Sequence, residues 1–262
     1  MDAHVLGIGS VAGALSLVIV ALVASAWLRL GIGREIGWAA ARAAVQLLAV
    51  GFLLAWLIGA SSADLYAWLW IGAMVVLASA VVGRRAAGSP PALALAAGLA
   101  VGGSTALSLA VVFGFGIFEP TPINLIVTAG ITIGNALPSA VLASNQVTTM
   151  VRDHRAEIEG LLSLGFDRSG VAQYLGPRTA RSAMIPQVER TKVVGLIALP
   201  GAMVGLLLAG TDPVEAVVVQ LLVMYLVLGS VAVSVIAVVS VLARQAVTDD
   251  LRAAAWAAAE TR

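Results

Sequence analysis

The chain has no cysteine, only two histidines and a single lysine in 262 residues. Without cysteine there can be no disulfide, thiolate metal site or thiol nucleophile. The histidines, His4 and His154, lie too far apart to suggest a histidine-rich metal centre within one chain. Charged residues are scarce at 11%, against about 25% in soluble domains, while hydrophobic residues reach 60%. Mean hydropathy is +1.01. A soluble protein of this length needs a polar exterior that such a composition cannot supply, so an integral membrane protein is expected.

Catalytic signatures are missing too. There is no glycine-rich loop ending in Gly-Lys-Ser/Thr, and Lys192 stands at a span entrance, not in a phosphate loop. No serine sits in a nucleophile elbow, and no His-Glu-x-x-His is present. Nothing in the sequence argues for chemistry on a covalent bond, so neither an enzyme nor a cofactor of its own is expected. If ATP drives transport, ATP and magnesium belong to a separate ATPase subunit.

What is there is ordered by charge. Arg42 lies inside an apolar run. The other basic residues fall in four segments: Arg29 to Arg34, Arg84 to Arg85, Arg152 to Lys192, and Arg244 to Arg262. Apolar stretches separate them, and the alternate connections carry no basic residue. That is the positive-inside pattern of a polytopic membrane protein. A crossing helix needs about 20 mostly apolar residues. Seven candidates meet this, at about 6–28, 36–58, 65–83, 92–117, 122–148, 193–210 and 214–243, within one transmembrane domain over 1–262. The breaks hold turn residues such as Gly31, Ser61-Ser62, Gly88-Ser89-Pro90, Pro120-Thr121-Pro122 and Asp212-Pro213. The first apolar run lacks a basic start and is expected to be a retained span, not a signal peptide. With the basic connections inside, the N-terminus is outside and the C-terminus inside. The outer face then carries Asp2, Asp64, Glu119, Asp212 and Glu215, either as tolerated residues or as a vestibule favouring cations.

The basic segment 151–192 reads as a long cytoplasmic loop with structure of its own. Residues 153–166 have helical periodicity, with Ile158, Leu161, Leu162 and Gly165 on one face. Asp167 to Gly170 reads as a turn and a new helix start. This amphipathic element either docks a partner or anchors the loop at the headgroups.

Polar residues within the spans have two readings each. Arg42 and Gln46, four apart, fit a snorkelling arginine or a gate. Asn135 and Ser139 share a face beside Pro138, and Asn145 follows, fitting inter-helix hydrogen bonding or a permeation path. Gln220 is either glue or path. Gly201, Gly205 and Ala209 form a small-xxx-small face suited to close helix approach.

The block from Thr191-Lys192-Val193-Val194-Gly195 through Leu199-Pro200-Gly201-Ala202-Met203, Gly205, Ala209-Gly210, Asp212-Pro213, Ala216 and Gln220 resembles the FetB-type iron-export permeases. The plant aluminium-tolerance and aluminium-sensitivity permeases belong with them. Gly134-Asn135-Ala136, Asn145, Leu162-Ser163-Leu164-Gly165, and Arg42, Gln46 and Gly51 match in order. The likeness covers about 35 to 245. It implies the membrane subunit of an ABC transporter in the bacterial cytoplasmic (inner) membrane, paired with a soluble ATPase and a second copy of itself. The implied substrate is iron or a related metal cation, exported from the cytoplasm; no nucleic acid is expected as a partner. In ABC permeases a short cytoplasmic helix enters a cleft of the ATPase. Here 157–166 is expected to be that coupling helix, with Leu162, Leu164, Gly165 and Phe166 seated in the ATPase and Arg155 and Glu159 at the rim. The metal ligands are not given by the sequence; Asn135, Ser139, Asn145 and Gln220 could supply only neutral oxygens. Two other readings stay open: a secondary transporter independent of ATP, and a membrane scaffold recruiting a soluble partner through the loop.

Overall fold

A computed structural model describes residues 8–60, 62–85, 91–248, 250–252 and 254. Asp2, His4, the start of the first span, the Gly88-Ser89-Pro90 break and Arg262 lie outside the described residues. Two compact units divide the chain, 1–63 and 64–262.

The first unit is a helical hairpin of α1 (Ile8–Trp27) and α2 (Gly33–Ile58). Its tight turn takes Arg29 and Gly31 through positive φ, 53° and 74°. Ser25 is buried there, and the Gly33 backbone comes close to its hydroxyl.

The second unit holds α3 (Ala63–Arg85, from Asp64 onward), α4 (Pro91–Gly114), α5 (Pro122–Asp153), α6 (Arg155–Ser163), α7 (Arg168–Lys192), α8 (Gly201–Leu208) and α9 (Pro213–Gln245). Its core is the packing of α4, α5, α7 and α9. On α5 the buried stripe is small, with Ala129, Ala136, Ala140 and Ala143. Small side chains let the helix axes approach, and Val231, Val235, Val238 and Val239 of α9 fill the seam. Start signals are local. Thr121 and Asp212 accept hydrogen bonds from Asn124 N (3.3 Å) and Val214 N (2.9 Å), each followed by proline in the first turn.

Among the described residues, four helical stretches are long and apolar enough to cross a membrane: Gly33–Leu57, Ala63–Arg84, Pro122–Asp153 and Pro213–Gln245. Shorter apolar stretches lie at Gly13–Trp27 and Gly98–Gly114. Large apolar side chains such as Leu17, Phe52, Leu69, Val76 and Ile236 are exposed, as lipid contact allows and water does not.

The structure departs from the sequence expectation in two places. The stretch 193–210 is not one continuous helix. Gly195 adopts φ +87° in a turn closed by its N–H to Ala198 O at 2.9 Å, and Pro200 is extended. A left-handed glycine and a proline that biases its predecessor away from α leave only the eight residues of α8 helical. Eight residues rise only about 12 Å. The segment 151–192 is also more than a surface loop, because α7 runs back along α5 and α9. Arg168 Nε reaches Thr248 O at 3.3 Å, Gly176 faces Val239, and Arg190 Nη1 reaches Asn135 Oδ1 at 3.3 Å. These pairs place α7 antiparallel to α9 and carry its end to the middle of α5.

Candidate functional site

Two regions concentrate polar chemistry: the α5–α6–α7 corner and the seam where α7 meets α5.

At the corner, His154 ends α5 and starts α6, and its φ of −109° and ψ of 26° make the bend. His154 Nδ1 lies 3.1 Å from Glu157 Oε1, Tyr174 donates its hydroxyl to Glu157 Oε2, and Arg178 Nη1 donates to the Tyr174 oxygen at 2.9 Å. The Arg178 guanidinium also lies 4.6 Å from the Tyr174 ring centroid. This chain of contacts ties the bend to α7. The hydrogen bond from Tyr174, then that with His154, holds the Glu157 carboxyl below its usual range. The same bond to Glu157 pushes the Tyr174 hydroxyl up. Arg155 Nε donates to Glu159 Oε1 at 2.8 Å across one helical turn.

The end of α6 is a Schellman turn. Phe166 N–H bonds Leu161 O and Gly165 N–H bonds Leu162 O, both at 3.1 Å, with Gly165 at φ +90°. The apolar face expected to seat in a partner is largely spent: Ile158 is fully buried, and Leu161 and Leu162 pack on the chain's own core. What projects is the turn, with Leu164 78% and Phe166 46% exposed, beside Arg155 and Glu159. The Phe166 ring lies over Gly170, where a Cβ would come 2.7 Å from Cδ1.

At the seam, Asn135 donates through Nδ2 to Ile131 O at 2.8 Å while its oxygen receives Arg190. Lys192 Nζ pairs with Glu189 Oε1 at 2.7 Å. Gln220 is buried, and its oxygen accepts from Met203 N at 3.2 Å. It caps α8, whose preceding Pro200 has no side-chain acceptor to offer. Gln220 therefore acts as helix glue. Ser139 is half-buried and Asn145 exposed. Arg42 and Gln46 are exposed on α2, in the other unit. A Cβ at Gly201 or Gly205 would meet nothing within 4 Å, and no residue of α8 is buried, so this small-residue face has no partner among the described residues.

Thr132, Ser144 and Thr148 return their hydroxyls to carbonyls of their own helix, at 3.0, 2.9 and 3.1 Å. They are satisfied locally and need no second helix. Among the described residues no three His, Asp or Glu side chains are grouped to hold a metal. A crevice of about 860 Å³ between α3, α4 and α5 is lined almost wholly by apolar residues, among them Trp68, Val75, Ala106 and Phe113.

Sequence reasoning missed the contact of Arg190 with Asn135 and the Glu189–Lys192 pair beside it. The signal was the helical spacing Arg178, Arg181, Ile185, Glu189, Lys192, at three, four, four and three residues.

Long apolar helices, an exposed apolar surface and a helical core define an integral membrane protein. The chain belongs to a family described as "Uncharacterised protein family (UPF0014)", whose model matches residues 8–247. It is 31% identical over 236 residues to "Probable iron export permease protein FetB" of Escherichia coli strain K12, covering 90% of each chain. It is 33% identical to "UPF0014 membrane protein STAR2" of Oryza sativa subsp. japonica, covering 84% of this chain and 77% of the relative. With "Protein ALUMINUM SENSITIVE 3" of Arabidopsis thaliana it shares 28% identity, over 85% and 81% respectively. No solved structure matches the chain.

Proposed function

We propose that the chain is the permease subunit of an ABC exporter for iron or a related metal. A separate soluble ATPase hydrolyses ATP with magnesium, and a second copy of the chain completes the assembly. The membrane is the bacterial cytoplasmic membrane, with the N-terminus outside, the C-terminus inside and the 151–168 corner facing the ATPase. The name of the Escherichia coli relative supports the metal, and the lack of a phosphate loop in this chain supports a separate energy source.

The observation that carries the coupling role is the α6–α7 turn. Leu164 and Phe166 project from a corner where Ile158 is buried and Leu161 and Leu162 pack half-buried on the core, and the His154–Glu157–Tyr174–Arg178 contacts fasten that corner to α7. A push on the turn then moves α7 instead of deforming a loop. The test is metal flux in vesicles with and without the co-expressed ATPase, with ATP and a panel of metals. ATP-dependent movement of ferrous ion is expected; ATPase coupling with no metal moved removes the iron assignment. The discontinuous α7–α8 segment also suits a secondary transporter, in which broken helices meet at membrane depth. Flux without any ATPase selects that reading.

A further inference from the structure

The 32 residues of α5 rise about 48 Å, and the hydrocarbon core is about 30 Å thick. Asn135 stands 13 residues from Pro122, roughly 20 Å along the helix. Any 30 Å slab laid wholly along α5 therefore contains Asn135. Arg190 is hydrogen-bonded to Asn135, so its guanidinium lies at that depth. Contacts elsewhere agree, since Tyr174 meets Glu157 just beyond the Asp153 end of α5 and Gly176 faces Val239.

Arg178, Arg181, Ile185, Glu189 and Lys192 form one exposed stripe climbing α7 to this level, with Arg190 beside it. Exposed charged groups at hydrocarbon depth do not face lipid; they face a water-filled cavity. The sign of that cavity can be counted. Arg178, Arg181, Arg190 and Lys192 stand against two carboxylates: Glu189, already paired with Lys192, and Glu157 of α6, which meets Arg178 through Tyr174 at the far end of the stripe from Arg190. The α4, α5, α8 and α9 sequences add no acidic residue except Asp153 and Glu215 near helix ends. An arginine-rich wall attracts oxyanions and repels bare cations, and guanidinium forks fit carboxylate and phosphate oxygens.

We propose that the exposed face of α7 is an electropositive wall of the permeation path, and that the species moved along it is an oxyanion: a carboxylate or phosphate complex of the metal, not the free cation. This rests on the permease reading and names its substrate class.

The natural absence of cysteine makes the test direct. Ile185→Cys places one thiol in the middle of the stripe, and Ser182→Cys, one turn below Pro186, is a second site should the first not fold. Full-length protein in liposomes is treated with an anionic and a cationic thiosulfonate reagent, each normalised to its rate with a small free thiol. The anionic reagent is expected to react about tenfold faster, and Arg190→Gln with Lys192→Gln to bring the ratio towards one. Ferric citrate and inorganic pyrophosphate are the protecting probes. Slowing by the first points to a carboxylate complex, and slowing by the second to a phosphate. Reaction with neither reagent, faster reaction of the cationic one, or protection by free ferrous ion alone would overturn the proposal. No ATPase enters this experiment, so failure of ATP-driven flux and failure of the oxyanion path are separable.

Discussion

Gly165 holds φ +90° at the end of α6, a conformation that costs an L side chain about 1–2 kcal/mol. Gly165→Ala should lower stability by about that amount, while Gly160→Ala, inside α6 with open space around its Cβ, should raise it by about 0.5–1 kcal/mol. Opposite shifts of the unfolding midpoint in detergent would check the pair. Gln220→Leu strips the acceptor from Met203 N–H, at about 1–3 kcal/mol. Faster amide exchange confined to α8 is the expected signature. Glu157 carries a pH prediction. Its folded-state pKa is lowered, so the contacts to Tyr174 and His154 contribute stability above the ordinary carboxylate range and lose it as pH falls through the folded value. Acidification should loosen the α6–α7 corner, and Glu157→Gln should abolish that acid dependence; hydrogen exchange at α6 against pH reads both.

At the scale of elements, α6 is held and its turn is free. Leu164→Asp or Phe166→Asp puts a charge on the projecting apolar pair without touching buried Ile158. Capture of the co-expressed ATPase should fall at least tenfold while the helical content of the spans stays unchanged; undiminished capture would remove the turn from the coupling role. Helix α6 was legible in the sequence because its 3-and-4 periodicity is local. Which of its apolar residues remain available was not, since Ile158, Leu161 and Leu162 are covered by segments distant in sequence. For α7 the sequence showed the charges but not the neighbours, α5 and α9, because composition records polarity and not what a helix lies against. Stretch 193–210 was misread for a related reason: hydropathy averages over Gly195 and Pro200, and backbone geometry does not.

For the whole molecule, the small-residue face of α8 lacks a partner within its own unit. Gly205→Leu should therefore leave the fold intact and change the oligomeric state measured by light scattering in detergent; an unchanged mass would assign that face to lipid. The amino-acid order by itself determined that this chain enters a membrane as helices. Burial of the apolar backbone in lipid permits little else, and the caps Thr121 and Asp212, the turn glycines and the separated arginines are local facts. It also marked the α5–α9 region as the specific part of the chain. Only the tertiary structure decided that Gln220 caps α8 and that Asn135 meets Arg190. These pairs join residues 17 and 55 positions apart. Such pairings are set by how helices pack, which periodicity within one helix does not encode.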